Sequence, residues 1–224
     1  MGSSGAQRSS SSDHRPELQS PEGLPLHSSR HSPILCQHSA DEAAEFACSI
    51  GYPVVLKTAA DDILHKSEAN GICLNLQDDA AVRAAYADLN ERLGAAVLVQ
   101  EMADLGVGIE MLLGMKKDPQ FGPLLVFGLG GIFVEIFKDV VTVMPPLTRE
   151  KTAGLLQQLK GYPLLTGARG KRPVNIDRLI DTLMQFDLFV ADYGDQLSEV
   201  DINPLLVSAD RCLVLDALFI PDTT

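Results

Sequence analysis

Apolar residues recur at helix and strand spacing only from about residue 39 onward. Ser39 and the Ala-Asp-Glu that follows it form a capping pattern, which predicts a helix ending near residue 49. A Gly-Tyr-Pro turn leads from this helix into an apolar strand at residues 54–57. The alternation continues with a predicted strand at 71–76, an alanine-rich helix at 79–93 and a strand at 96–100.

Further along, predicted strands follow one another without helices between them. They lie at residues 109–113, 124–127 and 134–143, separated by Asp-Pro-Gln-Phe-Gly-Pro and by a glycine cluster. The remaining elements are predicted as helices at 148–159 and 176–193 and strands at 197–202 and 212–215. Successive strands indicate a largely antiparallel sheet, so this order favours an α+β body of two lobes with a hinge strand near Glu101.

The first 38 residues have a different composition from the body. They are rich in Ser, Pro, His and Arg, and they show hardly any periodic apolar pattern. Their three arginines balance their three carboxylates, so the excess negative charge lies in the body. We therefore predict a disordered tail or an expression leader at residues 1–38 and a folded domain at 39–221.

Composition excludes several classes of function. The chain has 224 residues, 46% of them hydrophobic, which is enough for a sizeable core. Its net charge of −12 argues against nucleic acid or an anionic membrane as a partner. No run approaches 18 apolar residues, no signal peptide is visible, and the four cysteines show no Cys-x-x-Cys spacing. A reducing cytoplasm is the expected location.

His65 is the only histidine outside the first forty residues. A lone histidine is usually structural, but this one has unusual neighbours along the chain. Lys57 ends an apolar strand eight residues earlier, and a glycine cluster at 128–131 and the carboxylates and carboxamide of 199–203 follow later. Cationic charge, close backbone N–H groups and hard oxygen ligands suit a polyphosphate with Mg²⁺. A nucleotide site beside an imidazole suggests phosphoryl transfer.

These segments together resemble a known family. In chain order they are GYPVVLK at 51–57, ILHKS at 63–67, VQEM at 99–102, DPQFGP at 118–123, FGLGGIFVE at 127–135, KD at 138–139, GARG at 167–170 and EVDINP at 199–204. The chain from about 39 to 220 resembles the ATP-grasp domain of ADP-forming acyl-CoA synthetases of the acetate–CoA ligase type. That module also occurs in bacterial protein lysine acetyltransferases. Relatives usually have a helix and a strand before the position of Ser39, so the first lobe is expected to be truncated.

The resemblance implies a mechanism and a partner. In the family, a CoA-binding α subunit or domain makes an acyl phosphate and then acyl-CoA, and a histidine there takes up the phosphoryl group. A second histidine, on the ATP-grasp part, relays it to ADP. His65 matches this second histidine, and its neutral imidazole can attack as a nucleophile and hold phosphate as a phosphoramidate. The resemblance therefore predicts ATP or ADP as substrate, Mg²⁺ as cofactor and a CoA-binding partner.

Candidate nucleotide-binding residues each have a simpler alternative. Lys57 matches the family lysine that reaches the phosphates, whereas the alternative is a solvated lysine at a strand end. Lys66 is a less certain candidate. Glu101 lies where the hinge of the family contacts adenine and ribose, and Glu110 is a weaker candidate of the same kind. Gly130 and Gly131 belong to a cluster that, taken alone, usually marks an ordinary turn.

Asn203 and Asp216 are the predicted metal residues. Adjacent C-terminal strands can bring this carboxamide and this carboxylate to one side, leaving waters and phosphates to complete an octahedron around Mg²⁺. The alternative is that Asn-Pro starts a turn and that Asp216 is an ordinary carboxylate at a strand end. Asp201 is a possible further ligand, or it positions His65. Glu135, Lys138, Asp139 and Arg169 are possible supporting residues, with surface charges as the alternative.

Two functional hypotheses remain from the sequence. The first is a ligase module that needs Mg²⁺ and an α partner and relays phosphate through His65. The second is a non-catalytic regulatory module that senses nucleotide within a larger acyltransferase or synthetase. A succinyl-CoA synthetase-like β chain is less attractive, because such chains carry a further C-terminal domain. The sequence leaves the acyl group open, and the apolar run at 124–137 is a possible homo-oligomer interface.

Overall fold

The computed structural model describes residues 34–60, 66, 69–131, 138–170 and 172–223. Two antiparallel sheets with helices against them give an α+β architecture of two lobes. Most of the predicted elements are present, and their ends differ from the predicted ends by a few residues. Free cysteines occupy all four cysteine positions, in agreement with the absence of a predicted disulfide frame.

Lobe 1 is a four-stranded sheet in the order β1-β4-β2-β3 with two helices. Its elements are β1 (Ile34–Gln37), α1 (Ala40–Ile50), β2 (Val54–Thr58), β3 (Ile72–Leu76), α2 (Asp79–Leu93) and β4 (Val97–Glu101). The Ser39 hydroxyl accepts from the Glu42 N–H and the Asp78 carboxylate accepts from the Ala81 N–H, so both helices begin at side-chain caps. Small alanines of α1 and apolar residues of α2 pack on β2 and β4 to form the core of this lobe.

A strand, β1, lies ahead of residue 39, where the sequence analysis predicts the start of the folded domain. β1 pairs antiparallel with β4, with Ile34 opposite Gln100 and Gln37 opposite Val97. A four-residue strand gives almost no periodic signal by itself, and the hydrogen-bonding edge that orders it lies more than sixty residues away in the chain. Residues 1–33 of the predicted tail lie outside the described residues.

Lobe 2 is built on a six-stranded sheet in the order β10-β8-β5-β6-β7, with β9 paired to β8. Its strands are β5 (Gly108–Asp118), β6 (Gly122–Leu129), β7 (Val140–Val143), β8 (Leu197–Ser208), β9 (Cys212–Val214) and β10 (Ala217–Pro221). Its helices are α3 (Arg149–Leu156), the short α4 (Tyr162–Leu165) and α5 (Ile176–Tyr193). The apolar faces of α3 and α5 cover β5, β6 and β8. Among the described helices, none is both long and apolar enough to cross a membrane.

The possible interface at 124–137 stays a prediction. Leu125, Phe127 and Leu129 are buried in the core, alternate residues of β6 are partly exposed, and residues 132–137 lie outside the described residues. The predicted strand end at residue 202 is wrong: β8 continues through Asn203-Pro204 to Ser208, with a cis peptide bond at the proline.

Asp139 connects the end of β6 to the segment between α3 and α4. One carboxylate oxygen accepts from the Lys160 N–H at 2.8 Å and the other accepts from the Gly161 N–H at 2.7 Å. Asp139 is only 5% exposed, and a Cβ at Gly161 would collide with the Leu129 side chain. Asp139 is therefore a buried structural clamp, and it does not line a cleft as a supporting site residue would.

We expect Asp139→Asn to destabilise the protein by about 1–3 kcal/mol, because the amide NH₂ must face one of two backbone N–H donors. Asp118→Asn is the matched control. One oxygen of Asp118 accepts from both the Gln120 and Phe121 N–H groups at an exposed turn, so asparagine can keep both bonds. Urea unfolding of both variants measures the difference. Equal losses of unfolding free energy would contradict the clamp.

Candidate functional site

Side chains from lobe 1 cross to one short segment of lobe 2. Lys57 on β2 is 7% exposed, and its Nζ donates to the backbone carbonyl of Leu215. Gln100 on the neighbouring strand β4 is 3% exposed, and its Nε2 donates to the carbonyl of Val214 at 3.4 Å. Lys57 is therefore not a solvated lysine at a strand end. It reaches the cleft between the lobes from a buried position.

Charged side chains lie close together around Asp216. The Lys66 ammonium lies 3.3 Å from Asp216 Oδ1. Burial lowers the pKa of Lys57; the nearby Asp216 carboxylate acts to raise that pKa, and the Lys66 ammonium acts to lower it. Lys57, Lys66 and Asp216 are thus close enough to influence one another. Such a group of cations beside a carboxylate can bind phosphate together with a divalent metal.

Asn203 on β8 lies opposite Asp216, which is in the short segment between β9 and β10. The Asn203 N–H donates to the Asp216 carbonyl at 3.2 Å, and the Leu215 N–H donates to the Pro204 carbonyl at 3.0 Å. Asn203 is exposed and the Asp216 side chain is 35% exposed, so both are open to solvent. One carboxylate and one carboxamide fit Mg²⁺, which usually keeps waters and substrate phosphates among its ligands. Within the described ranges, no three His, Cys, Asp or Glu residues gather into an all-protein metal cage.

A small apolar cluster lies at the hinge beside this group. Ala103, just after β4, packs with Leu206 on β8 and Leu213 on β9, and Leu215 lies against them. The three are at most 7% exposed. The cluster therefore joins the chain just after lobe 1 to β8 and β9 of lobe 2. The sequence analysis singles out none of these three positions, because their meeting depends on how the lobes are arranged.

Glu110, Gly130 and Gly131 come together next to the hinge. The Gly130 N–H donates to the Glu110 carbonyl at 2.8 Å, and a Cβ at Gly130 would lie 3.1 Å from that carbonyl. Gly131 has φ +60, and its Cβ position is 3.9 Å from Glu110 Oε2. The close backbone approach at one glycine and the positive φ at the other explain why this turn needs glycine. Glu101, at the end of β4, pairs through its backbone with Val54.

The structure describes only some of the remaining predicted site residues. His65 and Glu135 lie outside the described residues. The backbone of Arg169 forms a 3-10 turn, Ala168–Gly170, and its side chain is outside the description. Asp201 is half-buried on β8, where it pairs with Leu218. A separate cavity of about 630 Å³ is lined by residues 106–109, 170, 172 and 208–211, and it includes none of the predicted residues.

Comparison with known proteins gives consistent matches. The family model of the ATP-grasp domain matches residues 15–220. The beta subunit of acetate–CoA ligase (ADP-forming) I from Pyrococcus furiosus is 39% identical over 188 residues, which is 80% of each chain. Acetate–CoA ligase (ADP-forming) I from Archaeoglobus fulgidus is 38% identical over 205 residues. That match covers 87% of this chain and 30% of the longer enzyme.

A solved structure supports the same relationship. It is the dinucleotide-forming acetyl-coenzyme A synthetase 1 of Ca. Korarchaeum cryptofilum with coenzyme A and Mg-AMPPCP, and its phosphohistidine segment points towards the nucleotide-binding site. The TM-score is 0.74 and the identity is 36%, with 86% of this chain and 85% of the other covered. The similarity therefore extends over nearly the whole described fold.

Proposed function

Since the chain belongs to the ATP-grasp domain family of ADP-forming acyl-CoA ligases, we propose that it is the nucleotide-binding module of such a ligase. In the proposed reaction, acyl-CoA and phosphate give CoA and an acyl phosphate on the partner. The phosphoryl group of the acyl phosphate then passes through histidines to ADP, giving ATP and the free acid, and the reverse direction uses ATP to make acyl-CoA. His65 is the proposed histidine of this module. A CoA-binding α subunit or domain supplies the acyl chemistry, and a reducing cytoplasm is the proposed compartment.

The observation that carries this proposal is the convergence on the 214–216 segment. The Lys57 ammonium donates a hydrogen bond to the Leu215 carbonyl, and Lys66 forms an ion pair with Asp216. Asn203 lies opposite Asp216. A scaffold has no need for two lysines, a carboxylate and an open carboxamide in one interlobe cleft. A nucleotide diphosphate or triphosphate uses each of them, because ammonium groups bind its phosphates and oxygen ligands bind its metal.

Each group has a distinct proposed task. Lys57 binds the phosphates, and the base is proposed to lie at the hinge, beside the buried cluster of Ala103, Leu206 and Leu213. Asn203 and Asp216 would hold Mg²⁺, which neutralises phosphate charge and orients the phosphoryl group when it is bound. Gly130, Gly131 and Glu110 would border the nucleotide at the hinge, where Glu101 presents its backbone and carboxylate.

The alternative function is a regulatory module that senses nucleotide without turnover. It would use the same cleft, so nucleotide binding alone does not separate the two functions. The histidine does separate them, because only the ligase module needs a phosphorylated His65. Similarity to a beta subunit over 80% of both chains favours the ligase module.

Calorimetric titration with Mg·ADP and Mg·ATP tests nucleotide binding directly. We expect the wild-type chain to bind and the Asn203→Ala/Asp216→Ala double variant to bind at least about tenfold more weakly, a loss of about 1.4 kcal/mol or more. Asp210→Ala is the control, because it removes an exposed carboxylate from the turn between β8 and β9. A folded wild-type chain that binds neither nucleotide would rule out the proposed function for this chain.

A further inference from the structure

Lys66 is fixed in place by its backbone surroundings. Its carbonyl accepts from the Gly71 N–H at 2.7 Å, and the Gly71 carbonyl accepts from the Thr58 N–H at 2.7 Å on β2. The guanidinium of Arg92 on α2 donates to the Asn70 carbonyl at 3.1 Å, which anchors the same turn. A Cβ at Gly71 would crowd both the Lys66 carbonyl and the Thr58 side chain, so the approach requires glycine. The Lys66 backbone is therefore linked to Gly71 and, through Gly71, to β2.

Two ammonium groups, those of Lys66 and Lys57, lie near the Asp216 carboxylate, and the Lys66 side chain is only 16% exposed. Two ammonium groups outweigh one carboxylate, and partial burial limits screening by salt. A bare divalent cation arriving at Asp216 meets this repulsion and must also displace the Lys66 ion pair. A cation that arrives with a polyphosphate brings enough negative charge to reverse the balance.

We propose that Lys66 is a positioning residue that reserves Asp216 for a metal–nucleotide complex and excludes the free divalent cation. Lys66 pairs with Asp216 when no nucleotide is bound. When Mg·ADP or Mg·ATP binds, the carboxylate turns to the metal and the Lys66 ammonium turns to the phosphates. Metal affinity and nucleotide affinity are then coupled through a single lysine, and the coupling is reciprocal. This inference rests on the proposed function, because it assumes a nucleotide and its metal in this cleft.

The inference predicts a gain of affinity, which structural damage would not produce. Lys66→Gln removes the competing charge, so free Mn²⁺ should bind about tenfold more tightly, given Coulomb energies of a few kcal/mol reduced by solvent. The factor by which ADP raises Mn²⁺ affinity should shrink by about the same amount. Lys66→Arg keeps the charge and should resemble the wild type. Lys116→Gln is the matched control, since it breaks an exposed pair with Glu199 on lobe 2.

Electron paramagnetic resonance titration of Mn²⁺, with and without ADP, measures all of these affinities on the folded chain. Adding Asp216→Asn to Lys66→Gln should remove the gained site, which supports a metal at Asp216. If the wild type binds Mn·ADP but Lys66→Gln binds free Mn²⁺ no more tightly, the inference is overturned and the proposed function stands. If the folded wild type fails to bind Mn·ADP at all, both are overturned.

Discussion

Replacing His65 with asparagine should abolish ADP-dependent turnover of acyl-CoA in the assembled enzyme. Asparagine keeps a polar side chain of similar reach but has no imidazole nitrogen to form a phosphoramidate. Loss of a covalent nucleophile costs about a thousandfold or more in rate, because no other group completes the transfer. The measurement is ATP formation from acyl-CoA, phosphate and ADP, with the chain supplied together with its CoA-binding partner.

The same variant should keep its nucleotide site. Mg·ADP affinity is expected to stay within about twofold of wild type, since the binding groups lie on Lys57, Asn203 and Asp216. His38→Asn is the control. Of the histidines, His38 is the one that the structure describes, and it lies near Cys36 at the end of β1. Acid-labile, base-stable phosphate on the wild type and on His38→Asn, but not on His65→Asn, would support the relay. Labelling of His65→Asn would exclude it.

The ATP-grasp fold predicted from the motifs is confirmed, and the reason lies in strong local signals. Ser39 and Asp78 cap their helices through side chains that bind the third following N–H, and a capping pattern of this kind is visible in sequence. The long apolar pattern of α5 is equally local. The sequence analysis also names Lys57, Asn203 and Asp216, which the structure brings to one cleft, although their roles remain predictions.

What the sequence could not predict depends on contacts between distant segments. Gln100 gives no signal until β4 faces the Val214 carbonyl across the lobes. The ion pair of Lys66 with Asp216 joins residues 150 positions apart. The hinge cluster of Ala103, Leu206 and Leu213 brings together the chain just after β4 and the strands β8 and β9. Periodicity reports which face of an element is buried, but it does not report which other element covers that face.

Lys57→Met should separate nucleotide binding from stability. Methionine fills much of the space of the lysine stem but carries no charge, so affinity for Mg·ADP should fall about a hundredfold, because the phosphates lose a buried, charged hydrogen-bond donor. The same change removes a buried ammonium whose pKa is lowered mainly by burial. Replacing a buried charge by an apolar group of similar volume is often neutral or stabilising. We therefore expect Lys57→Met, measured without nucleotide, to be at least as stable as the wild type near neutral pH.

The pH dependence of stability provides a second test of Lys57. Below its folded-state pKa the lysine is charged in both states, and the full burial cost is present. As pH rises from that value towards 10.5, the folded protein releases the proton first, so the unfolded chain binds more protons and wild-type stability increases relative to Lys57→Met. Lys117→Met is the matched control, because Lys117 also donates to a backbone carbonyl, that of Asp195.

Lys117 should show the opposite trend. Its hydrogen bond to Asp222 raises its pKa, so its contribution is present at lower pH and is lost as pH rises through the raised value. Denaturant unfolding from pH 7 into the alkaline range, with calorimetry at pH 7, measures both effects. Lys57→Met with wild-type nucleotide affinity would remove Lys57 from the phosphate site. If the unfolding free energy changed with pH in the same way for both lysines, the burial argument would be contradicted. Burial dominates the pKa of Lys57, whereas the carboxylate of Asp222 dominates the pKa of Lys117.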